Sequence, residues 1–469
     1  MSYKLRVGSS NGTKSHRGIA QPVTHNFKRL TLLFSLIVLI SSCSVQKKIG
    51  RSARIDVINT KPLQAAHVGL CIFDPSTNKY LYNYQGDKYF VPASNTKIPT
   101  CYAAMKYLGD SLTAALILDM DTAVVVIPTG DPSLLHTDFK NQPLVEMLRK
   151  EKRPVYIAAN NWEDEPLGSG WSWNDYDQAY MAERSPLPVY GNVLEWVQEI
   201  TDSTKPPLIY SNPEINWEVD FSDDSARNFS VRRDIGSNFY TLNQGSERKK
   251  VTVSIPFFTN GIESAVELLK DATGNNRLSP ANTIFVSKRN AVNTASAFHS
   301  QPTDSLLKPM MHRSDNFFAE QSLLMVSNER LGVMNDAKII DTLLKTDFKD
   351  LPQKPRWVDG SGLSRYNLFT PQDLVAILNK MKDEFGMERI KVIFATGGEG
   401  TISSYYKADS GYIYGKTGTL SGVVAFSGFL YTKKGKLLIF STLVNNHQAS
   451  ATDVRRAIEK FLQGIRNTY

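Results

Sequence analysis

Hydrophobic patterning divides the chain into three parts. Near the start, residues 67–73 have the alternation of a strand, and apolar residues over 94–108 recur every three or four positions, which predicts a helix. The middle, roughly 111–255, mixes short β-rich runs with loops that contain Trp, Pro and Asp. Helical periodicity returns over 262–269 and 316–331, ahead of a last quarter that is rich in predicted strands.

The C-terminal quarter is predicted to form consecutive antiparallel strands and a closing helix. The strands are 411–419, 423–431 and 436–444, and the helix is 455–462. A turn with the sequence Lys-Lys-Gly joins the last two strands. Helices before and after a terminal antiparallel sheet predict an α+β domain whose halves are separated in the sequence.

Composition describes a globular chain with a basic leader. The 469 residues, 41% apolar and 21% charged, are enough for about two or three folded domains. The formal net charge is +8, but residues 1–42 contain six Lys and Arg and no acidic residue, which leaves about +2 for the rest. Because the remaining chain is nearly neutral, it would attract polyanions only weakly, and no nucleic acid is expected as a partner.

The first 42 residues are predicted to be an export signal of the lipoprotein type. Lys28 and Arg29 precede the apolar run 30–40, which is too short to span a bilayer but matches the apolar part of a signal peptide. The run ends in Ile-Ser-Ser-Cys43, which resembles a bacterial lipobox. We therefore expect the protein on the periplasmic side of a bacterial envelope, held in the membrane by a lipid on Cys43. An ordinary signal peptide that meets a cysteine by chance is the alternative.

Beyond Cys43 the chain has only Cys71 and Cys101. Two cysteines cannot form a disulfide framework, and no Cys and His cluster has the spacing of zinc ligands, so neither a metal nor a cofactor is expected. Cys71 lies in a strand-like segment and Cys101 in a helix-like one. Both are expected to be buried apolar residues.

The first candidate motif is Ser94 with Lys97 at the start of the first helix. Positions i and i+3 share a helix face, so Nζ can take the proton of Oγ if burial and a nearby cation lower the lysine pKa from its usual ~10.4. The helix N-terminus also places N–H groups where an oxyanion would form. The same spacing occurs at five other serines, so a helix-capping serine and a surface lysine explain this pair better when it is taken alone.

The second motif is Ser314-Asp315-Asn316, at the start of the helix 316–331. The Ser314 hydroxyl could relay a proton to a leaving amine, and the Asn316 amide could orient a substrate backbone. Taken alone, this tripeptide is an ordinary helix cap.

The third motif is Lys416-Thr417-Gly418-Thr419, on the first strand of the terminal sheet. An edge strand can pair with an extended peptide, and Gly418 removes a side chain where a substrate must approach closely. Lys416 and the hydroxyls of Thr417 and Thr419 suit a terminal carboxylate, and Lys416 also supplies a cation that lowers the pKa of Lys97. Taken alone, these residues could equally be a hairpin edge.

The three motifs occur together in the order and contexts typical of penicillin-binding proteins and serine β-lactamases. The chain resembles the D-alanyl-D-alanine carboxypeptidase/endopeptidase family of class C low-molecular-mass penicillin-binding proteins. The resemblance runs from about His67 to the end of the chain. It includes Pro92-Ala93, the segments 314–320, 359–365 and 397–401, and Asn445-Asn446.

The family resemblance implies a domain organisation and a fold. The 220-residue interval between Ser94 and Ser314 is similar to the family's large insertion. We expect a transpeptidase-like catalytic domain over 43–110 and 256–469, and an inserted β-rich domain over 111–255. The catalytic domain is expected to have a five-stranded antiparallel sheet with helices on both sides and the site between the sheet and the helices.

The resemblance also implies a reaction. Ser94 would attack the penultimate D-Ala carbonyl of a peptidoglycan stem peptide with Lys97 as the base, and the N–H groups of Ser94 and Thr419 would form the oxyanion hole. Water would hydrolyse the acyl-enzyme, and β-lactams would be covalent inhibitors. By analogy, Asp175 would pair with the side-chain amine of a diaminopimelate residue in the stem peptide, and Arg365 would join that subsite. A turn-forming aspartate and a structural arginine are the alternatives for these two.

Two other functions use part of the same evidence. A β-lactamase would carry the same three motifs, but no glutamate here begins the Glu-x-x-Leu-Asn pattern of class A enzymes. An inactive peptidoglycan-binding module would not need the reactive side chains, all of which are present. A Ser-His-Asp triad is not predicted, because no Gly-x-Ser-x-Gly elbow accompanies the histidines. The balance of carboxypeptidase and endopeptidase activity stays open, since both begin with the same acylation.

Overall fold

The computed structural model describes residues 46–201, 205–222, 227–281 and 295–469. The predicted signal peptide and Cys43 lie outside these residues. All elements named below belong to Gly50–Tyr469, which the contacts join into one unit. Among the described residues, no helix is both long and apolar enough to cross a bilayer.

The strands and helices are numbered here in chain order. The strands are β1 (His67–Asp74), β2 (Lys79–Tyr84), β3 (Ser111–Asp119), β4 (Val124–Pro128), β5 (Val155–Ile157), β6 (Val193–Glu199), β7 (Leu208–Asn212), β8 (Val219–Phe221), β9 (Ser230–Arg233), β10 (Tyr240–Asn243), β11 (Val251–Pro256), β12 (Leu278–Pro280), β13 (Ser296–Pro302), β14 (Ala395–Thr396), β15 (Ile413–Leu420), β16 (Val423–Tyr431) and β17 (Leu437–Asn445). The α-helices from residue 97 onward are α1 (Lys97–Tyr107), α2 (Pro143–Lys150), α3 (Glu263–Thr273), α4 (Thr303–His312), α5 (Asn316–Leu331), α6 (Asp336–Lys345), α7 (Pro371–Ile393) and α8 (Ala451–Thr468).

Strands from both ends of the chain form one antiparallel sheet. Its order is β14-β15-β16-β17-β1-β2, and His67 of β1 pairs with Asn445 of β17. The predicted sheet of five strands is therefore present, with the two-residue β14 as a sixth strand at one edge. Because β1 pairs with the last strand, the nucleophile segment after β2 and the C-terminal motif belong to one fold.

Helices cover both faces of this sheet. Ala425 and Phe429 of β16 belong to the same apolar core as residues of α1, α4, α5 and α7. Phe426 points to the other face and lines a small cavity with Ile458 of α8. Successive strand residues point to opposite faces, so the predicted helix-sheet-helix arrangement is confirmed.

The region between the two halves builds its own sheets and its own core. A five-stranded sheet has the order β12-β5-β4-β3-β13, and two three-stranded sheets have the orders β11-β6-β7 and β8-β10-β9. Helices α2 and α3 pack with these strands: Leu148, Leu269 and Leu278 share one apolar cluster. This cluster has a separate set of residues from the core under the first sheet.

The packing does not follow the boundary predicted at residues 255 and 256. Helix α3 and strands β12 and β13, all beyond residue 256, pack with the elements of 111–255. The chain rejoins the first core in α4, whose Leu306 and Met310 are fully buried there. Helix α3 is amphipathic, and its periodicity alone does not reveal which sheet it covers.

Candidate active site

The turn that carries Ser94 is tightly packed against strand β15. Ala93–Thr96 form one 3₁₀ turn, which continues into α1 at Lys97. A Cβ atom at Gly418 would lie 2.7 Å from the Pro92 carbonyl oxygen and 2.9 Å from the Ser94 nitrogen. Glycine is needed at 418 because the nucleophile turn approaches there, whereas the sequence had indicated room for a substrate. The turn also places Ala93 at φ 47°, a strained value for a residue with a side chain.

The Lys97 amine contacts Ser94 and two further oxygens. Its Nζ lies 3.1 Å from Ser94 Oγ, 2.6 Å from Asn316 Oδ1 and 2.8 Å from the Ser361 carbonyl oxygen. Asn316 Oδ1 and the carbonyl can only accept hydrogen bonds, so they use the two N–H groups of a neutral amine. The amine lone pair is then left to accept the Ser94 hydroxyl proton. This geometry is that of a base and its nucleophile.

Burial lowers the pKa of Lys97 from 10.5 to about 8. The negative charges of Glu320, Asp359 and Asp315 oppose this effect and raise the pKa. The sequence had indicated that Lys416 would help to lower the pKa of Lys97, but the lowering comes from burial. Burial, together with repulsion by Lys97, lowers the pKa of Lys416 well below its usual range.

Two buried carboxyl groups lie behind Lys97 and shape the loop that it contacts. Glu320 accepts hydrogen bonds from the backbone N–H groups of Ser361 at 2.7 Å and Gly360 at 3.2 Å. Burial and the charge of Asp359 raise the pKa of Glu320 to about 8, against the charge of Arg184. Glu320 thus fixes the loop whose Ser361 carbonyl accepts from Lys97.

Asp359 connects this loop to the wall of the cleft. Its Oδ1 accepts from the Gly362 N–H at 2.8 Å, and its Oδ2 accepts from the Ser364 N–H at 2.6 Å and from Trp171 Nε1 at 3.0 Å. Burial raises the pKa of Asp359. A single buried carboxyl group therefore holds both the loop and the indole ring in place.

Ser314 and Lys416 form a second hydrogen-bonded pair. Lys416 Nζ donates to Ser314 Oγ at 2.8 Å and to the Thr417 carbonyl oxygen at 2.7 Å, and its side chain is fully buried. Ser314 has φ 65°, again a strained conformation at a candidate functional residue. Asn95 Nδ2 donates to the Lys416 carbonyl oxygen at 2.8 Å and so ties the nucleophile turn to this pair. The three predicted motifs therefore meet at one place.

The outer part of β15 has an unpaired edge and two hydroxyl groups in defined contacts. Strand β14 pairs only with Tyr414 and Gly415, so on that side Lys416 and the residues after it have no strand partner in the described sheet. Thr417 Oγ1 donates to Thr401 Oγ1 at 2.7 Å. Thr419 Oγ1 accepts from Arg455 Nη2 at 2.6 Å.

A cleft of about 660 Å³ opens beside Ser94. Asp175 and Arg365, predicted by analogy alone, both line it. Arg365 Nη2 donates to the Ser421 carbonyl oxygen at 2.8 Å, and Asp175 is hydrogen-bonded to Tyr180. Its lining residues are Ser94, Gly170, Trp171, Ser172, Asp175, Tyr180, Met181, Asn316, Gly362, Leu363, Arg365, Thr419, Leu420 and Ser421.

Some contacts of the site differ from the predicted ones. Asn316 Nδ2 donates to the Tyr180 carbonyl oxygen at 3.0 Å, so in this conformation it binds the protein backbone. Lys416 is enclosed behind Ser314 and is absent from the cleft lining. Cys71 and Cys101 are buried as predicted. Within the described residues no cluster of His, Cys, Asp or Glu is arranged to hold a metal ion.

Sequence reasoning missed several residues that complete the site. Glu320 and Asp359 lay in segments noted for their family resemblance, but nothing in their spacing pointed to Lys97. Arg455 was predicted only as the start of the closing helix. These residues contact the site across the fold, so a motif in the sequence could not identify them.

Comparisons with known proteins agree with the site and the fold. Residues 51–465 match the family model described as the D-Ala-D-Ala carboxypeptidase 3 (S13) family. A D-alanyl-D-alanine carboxypeptidase of Actinomadura sp. (strain R39) is 24% identical, covering 95% of this chain and 90% of that protein. The D-alanyl-D-alanine carboxypeptidase DacB of Haemophilus influenzae is 22% identical, covering 91% of this chain and 95% of that protein.

Solved structures show the same fold. The crystal structure of penicillin-binding protein 4 from Haemophilus influenzae superposes with a TM-score of 0.69 at 19% identity, covering 89% of this chain and 98% of that one. A second crystal structure of that protein, in complex with a β-lactam, superposes with a TM-score of 0.62 at 18% identity, covering 85% and 95%. The predicted fold class is confirmed. The family match over residues 51–465 shows that this chain belongs to the D-Ala-D-Ala carboxypeptidase 3 (S13) family.

Proposed function

We propose that this chain is a serine-type D-alanyl-D-alanine carboxypeptidase that also cleaves cross-linked stem peptides as an endopeptidase. The observation that carries the proposal is the contact between Ser94 Oγ and the fully buried Lys97 Nζ at 3.1 Å. Family membership supplies the substrate class, and this contact supplies the nucleophile and its base.

Acylation is proposed to run as follows. Ser94 Oγ attacks the carbonyl carbon of the penultimate D-Ala, and its proton passes to the neutral Lys97 amine. The N–H groups of Ser94 and Thr419 stabilise the oxyanion, each such donor contributing roughly 2.7–4 kcal/mol. As the intermediate collapses, the C–N bond breaks, and Ser314, hydrogen-bonded to Lys416, relays to the leaving amine the proton that Lys97 had taken up, so that Lys97 is neutral again. Water then hydrolyses the ester on Ser94 and restores the hydroxyl group.

Asp175 and Arg365 are proposed to bind the stem peptide, with the Asn316 amide orienting its backbone. Both charged residues line the cleft with Ser94, and Asp175 can pair with a side-chain amine of the third stem residue. The hydroxyl groups of Thr417 and Thr419 are proposed to bind the terminal carboxylate. An extended peptide could add to the strand edge at Lys416 and Gly418.

β-Lactams are proposed to acylate the same Ser94. A structure with this fold is a β-lactam complex, which supports the idea that such a cleft accepts these compounds. Asp175 is the one carboxylate among the described residues that line the cleft, and it contacts Tyr180. A fast β-lactamase needs a group that activates water for deacylation, so we expect a long-lived penicilloyl adduct and little turnover.

The N-terminal segment is proposed to export the protein and to anchor it through Cys43 on the periplasmic side of the envelope. Support comes from the sequence alone: an apolar run of signal-peptide length ends at a lipobox-like cysteine. Cells that express the chain should incorporate radiolabelled palmitate into it, and Cys43→Ala should abolish the label. Equal labelling of both forms would reject the anchor.

The domain division is also a proposal. On the packing described above, residues 111–302 form the insertion, and residues from about 50 to 110 and from 303 to 469 form the catalytic domain. This revises the end of the insertion from 255.

The reaction is tested by Ser94→Ala with Ser305→Ala as its matched control. Ser305 also has a lysine three residues later, but its hydroxyl is exposed and donates to the Pro302 carbonyl oxygen. Ser94→Ala should abolish both D-Ala release from stem peptides and covalent penicillin labelling, and Ser305→Ala should retain both. Labelling of Ser94→Ala at the wild-type rate would reject Ser94 as the nucleophile. Products from purified cross-linked muropeptides, identified by mass, would separate carboxypeptidase from endopeptidase activity.

A further inference from the structure

Arg455 is a cation beside the motif strand, and it has no carboxylate partner in the part of the chain that the structure describes. It lies in the first turns of α8 and donates from Nη2 to Thr419 Oγ1 at 2.6 Å. The other cations of α8 are neutralised: Arg456 pairs with Glu459, Lys460 with Asp56 and Arg466 with Asp409. Among the described residues Arg455 has no ion pair, so its positive charge is available to a ligand.

Arg455 lies close to both threonines of the Lys416–Thr419 motif. It contacts the Thr419 side chain, which lines the cleft with Ser94. It also lines a small cavity with Thr417. Thr417 and Thr419 are two residues apart on one strand, so their side chains point to the same face. The guanidinium group therefore lies beside a row of two hydroxyl groups.

A cation beside the motif threonines would attract a substrate carboxylate, and Lys416 is poorly placed to provide it. Its amine is fully enclosed and already donates to Ser314 and to the Thr417 carbonyl oxygen. A guanidinium group, in contrast, is always charged and has several donors in a fixed fork. Arg455 can keep its contact with Thr419 and still offer further N–H groups to an anion.

We propose that Arg455, together with the Thr417 and Thr419 hydroxyl groups, binds the C-terminal carboxylate of the D-alanyl-D-alanine peptide. This inference rests on the proposed function and adds a specificity-determining residue to it. In a dipeptide terminus the carboxylate belongs to the residue directly after the scissile carbonyl, and consecutive Cα atoms are only about 3.8 Å apart. Thr419, whose N–H is proposed to stabilise the oxyanion, would thus meet the carboxylate with its side chain, and Arg455 contacts that side chain.

The test compares two substrates in four forms of the enzyme. The substrates are a stem peptide with a free C-terminal carboxylate and the same peptide with a C-terminal amide. The enzymes are the wild type, Arg455→Gln, Arg455→Lys and the control Arg456→Gln, which makes the same charge change on the next residue. Release of D-alanine or D-alaninamide is followed by mass spectrometry, and kcat/KM is measured for each pair.

We expect Arg455→Gln to lower kcat/KM for the free acid by about 10- to 100-fold, the usual effect of removing a hydrogen bond to a charged group. The amide should be cleaved at the wild-type rate, since it has no charge for Arg455 to bind. Arg455→Lys should recover part of the preference for the acid, and Arg456→Gln should keep all of it.

Three results would overturn the inference. An equal loss on both substrates would mean that Arg455 only positions Thr419. No loss on either substrate would mean that it does not contact the carboxylate. A selective loss in Arg456→Gln as large as in Arg455→Gln would mean that general surface charge causes the effect. If the wild type cleaved neither peptide and took up no penicillin, the proposed function itself would fail, which is a distinguishable outcome.

Discussion

The pH dependence of acylation should report directly on the buried base. Lys97 must be neutral to accept the Ser94 proton, and burial lowers its pKa from 10.5 to about 8. At that pKa about 9% of the amine is neutral at pH 7 and about 50% at pH 8, whereas the usual value would leave about 0.03% neutral at pH 7. Burial therefore increases the reactive fraction at pH 7 by roughly 300-fold.

The perturbation is a change of pH between 6 and 9.5, and the assay is the second-order rate constant for labelling by a fluorescent penicillin. The sign follows from the amine: protonation below its pKa removes the base, so the rate falls toward acid. We expect a rise of about fivefold from pH 7 to pH 8 and of less than twofold from pH 8 to pH 9. A rate that is flat or falls over this range would refute the assignment of Lys97 as the base.

The substitution Glu320→Gln gives a second test of Lys97 as the base. The charge of Glu320 raises the pKa of Lys97, and Glu320 itself has a pKa raised to about 8, so its ionisation broadens the rise in rate. The substituted amide would keep one acceptor for the Ser361 N–H and lose the charge. The midpoint of the rise should therefore move to lower pH and the rise should become steeper. A midpoint that moves to higher pH would contradict the electrostatic account, and a circular dichroism spectrum at each pH would verify folding.

Three further substitutions test separate parts of the site. Lys416→Ala removes the amine that contacts Ser314, and we expect acylation by penicillin to slow by about 100-fold or more; unchanged kinetics would remove its role. Gly418→Ala would place a Cβ 2.7 Å from the Pro92 carbonyl oxygen and so displace the nucleophile turn. We expect the acylation rate to fall by about 100-fold. A wild-type rate would show that the turn can move without loss of activity. Asp175→Asn should lower kcat/KM by about two- to fivefold for a stem peptide with a free side-chain amine, and it should not affect the same peptide with that amine acetylated. Equal effects on the two peptides would reject the ion pair.

The sequence predicted the elements with strong periodicity and clear ends. Helix α5 was predicted with its observed bounds, because an aspartate cap precedes it and an apolar stripe runs through it. Strand β16 was predicted with its observed bounds as well. The long helix α7 was not predicted: its apolar pattern is interrupted by Gly386 at φ 73°, where two helical stretches meet.

The sequence predicted those site residues that belong to one of the three short motifs. Ser94, Lys97, Ser314 and Lys416 were identified because short motifs place them at helix starts and on a strand. Their mutual contacts depend on β1 pairing with β17, a long-range pairing that local patterns do not specify. Glu320 and Arg455 could not be predicted for the same reason, since each acts through a neighbour that is distant in sequence.

The central claim is that Ser94 is the residue that becomes acylated. Its most direct test is peptide mapping by mass spectrometry after brief exposure of the enzyme to penicillin. Trypsin should release residues 89–97, in which Ser94 is the sole serine. The account predicts one penicilloyl group per chain, located on Ser94 in that peptide. An adduct on any other peptide, or no adduct at all in folded protein, would contradict it.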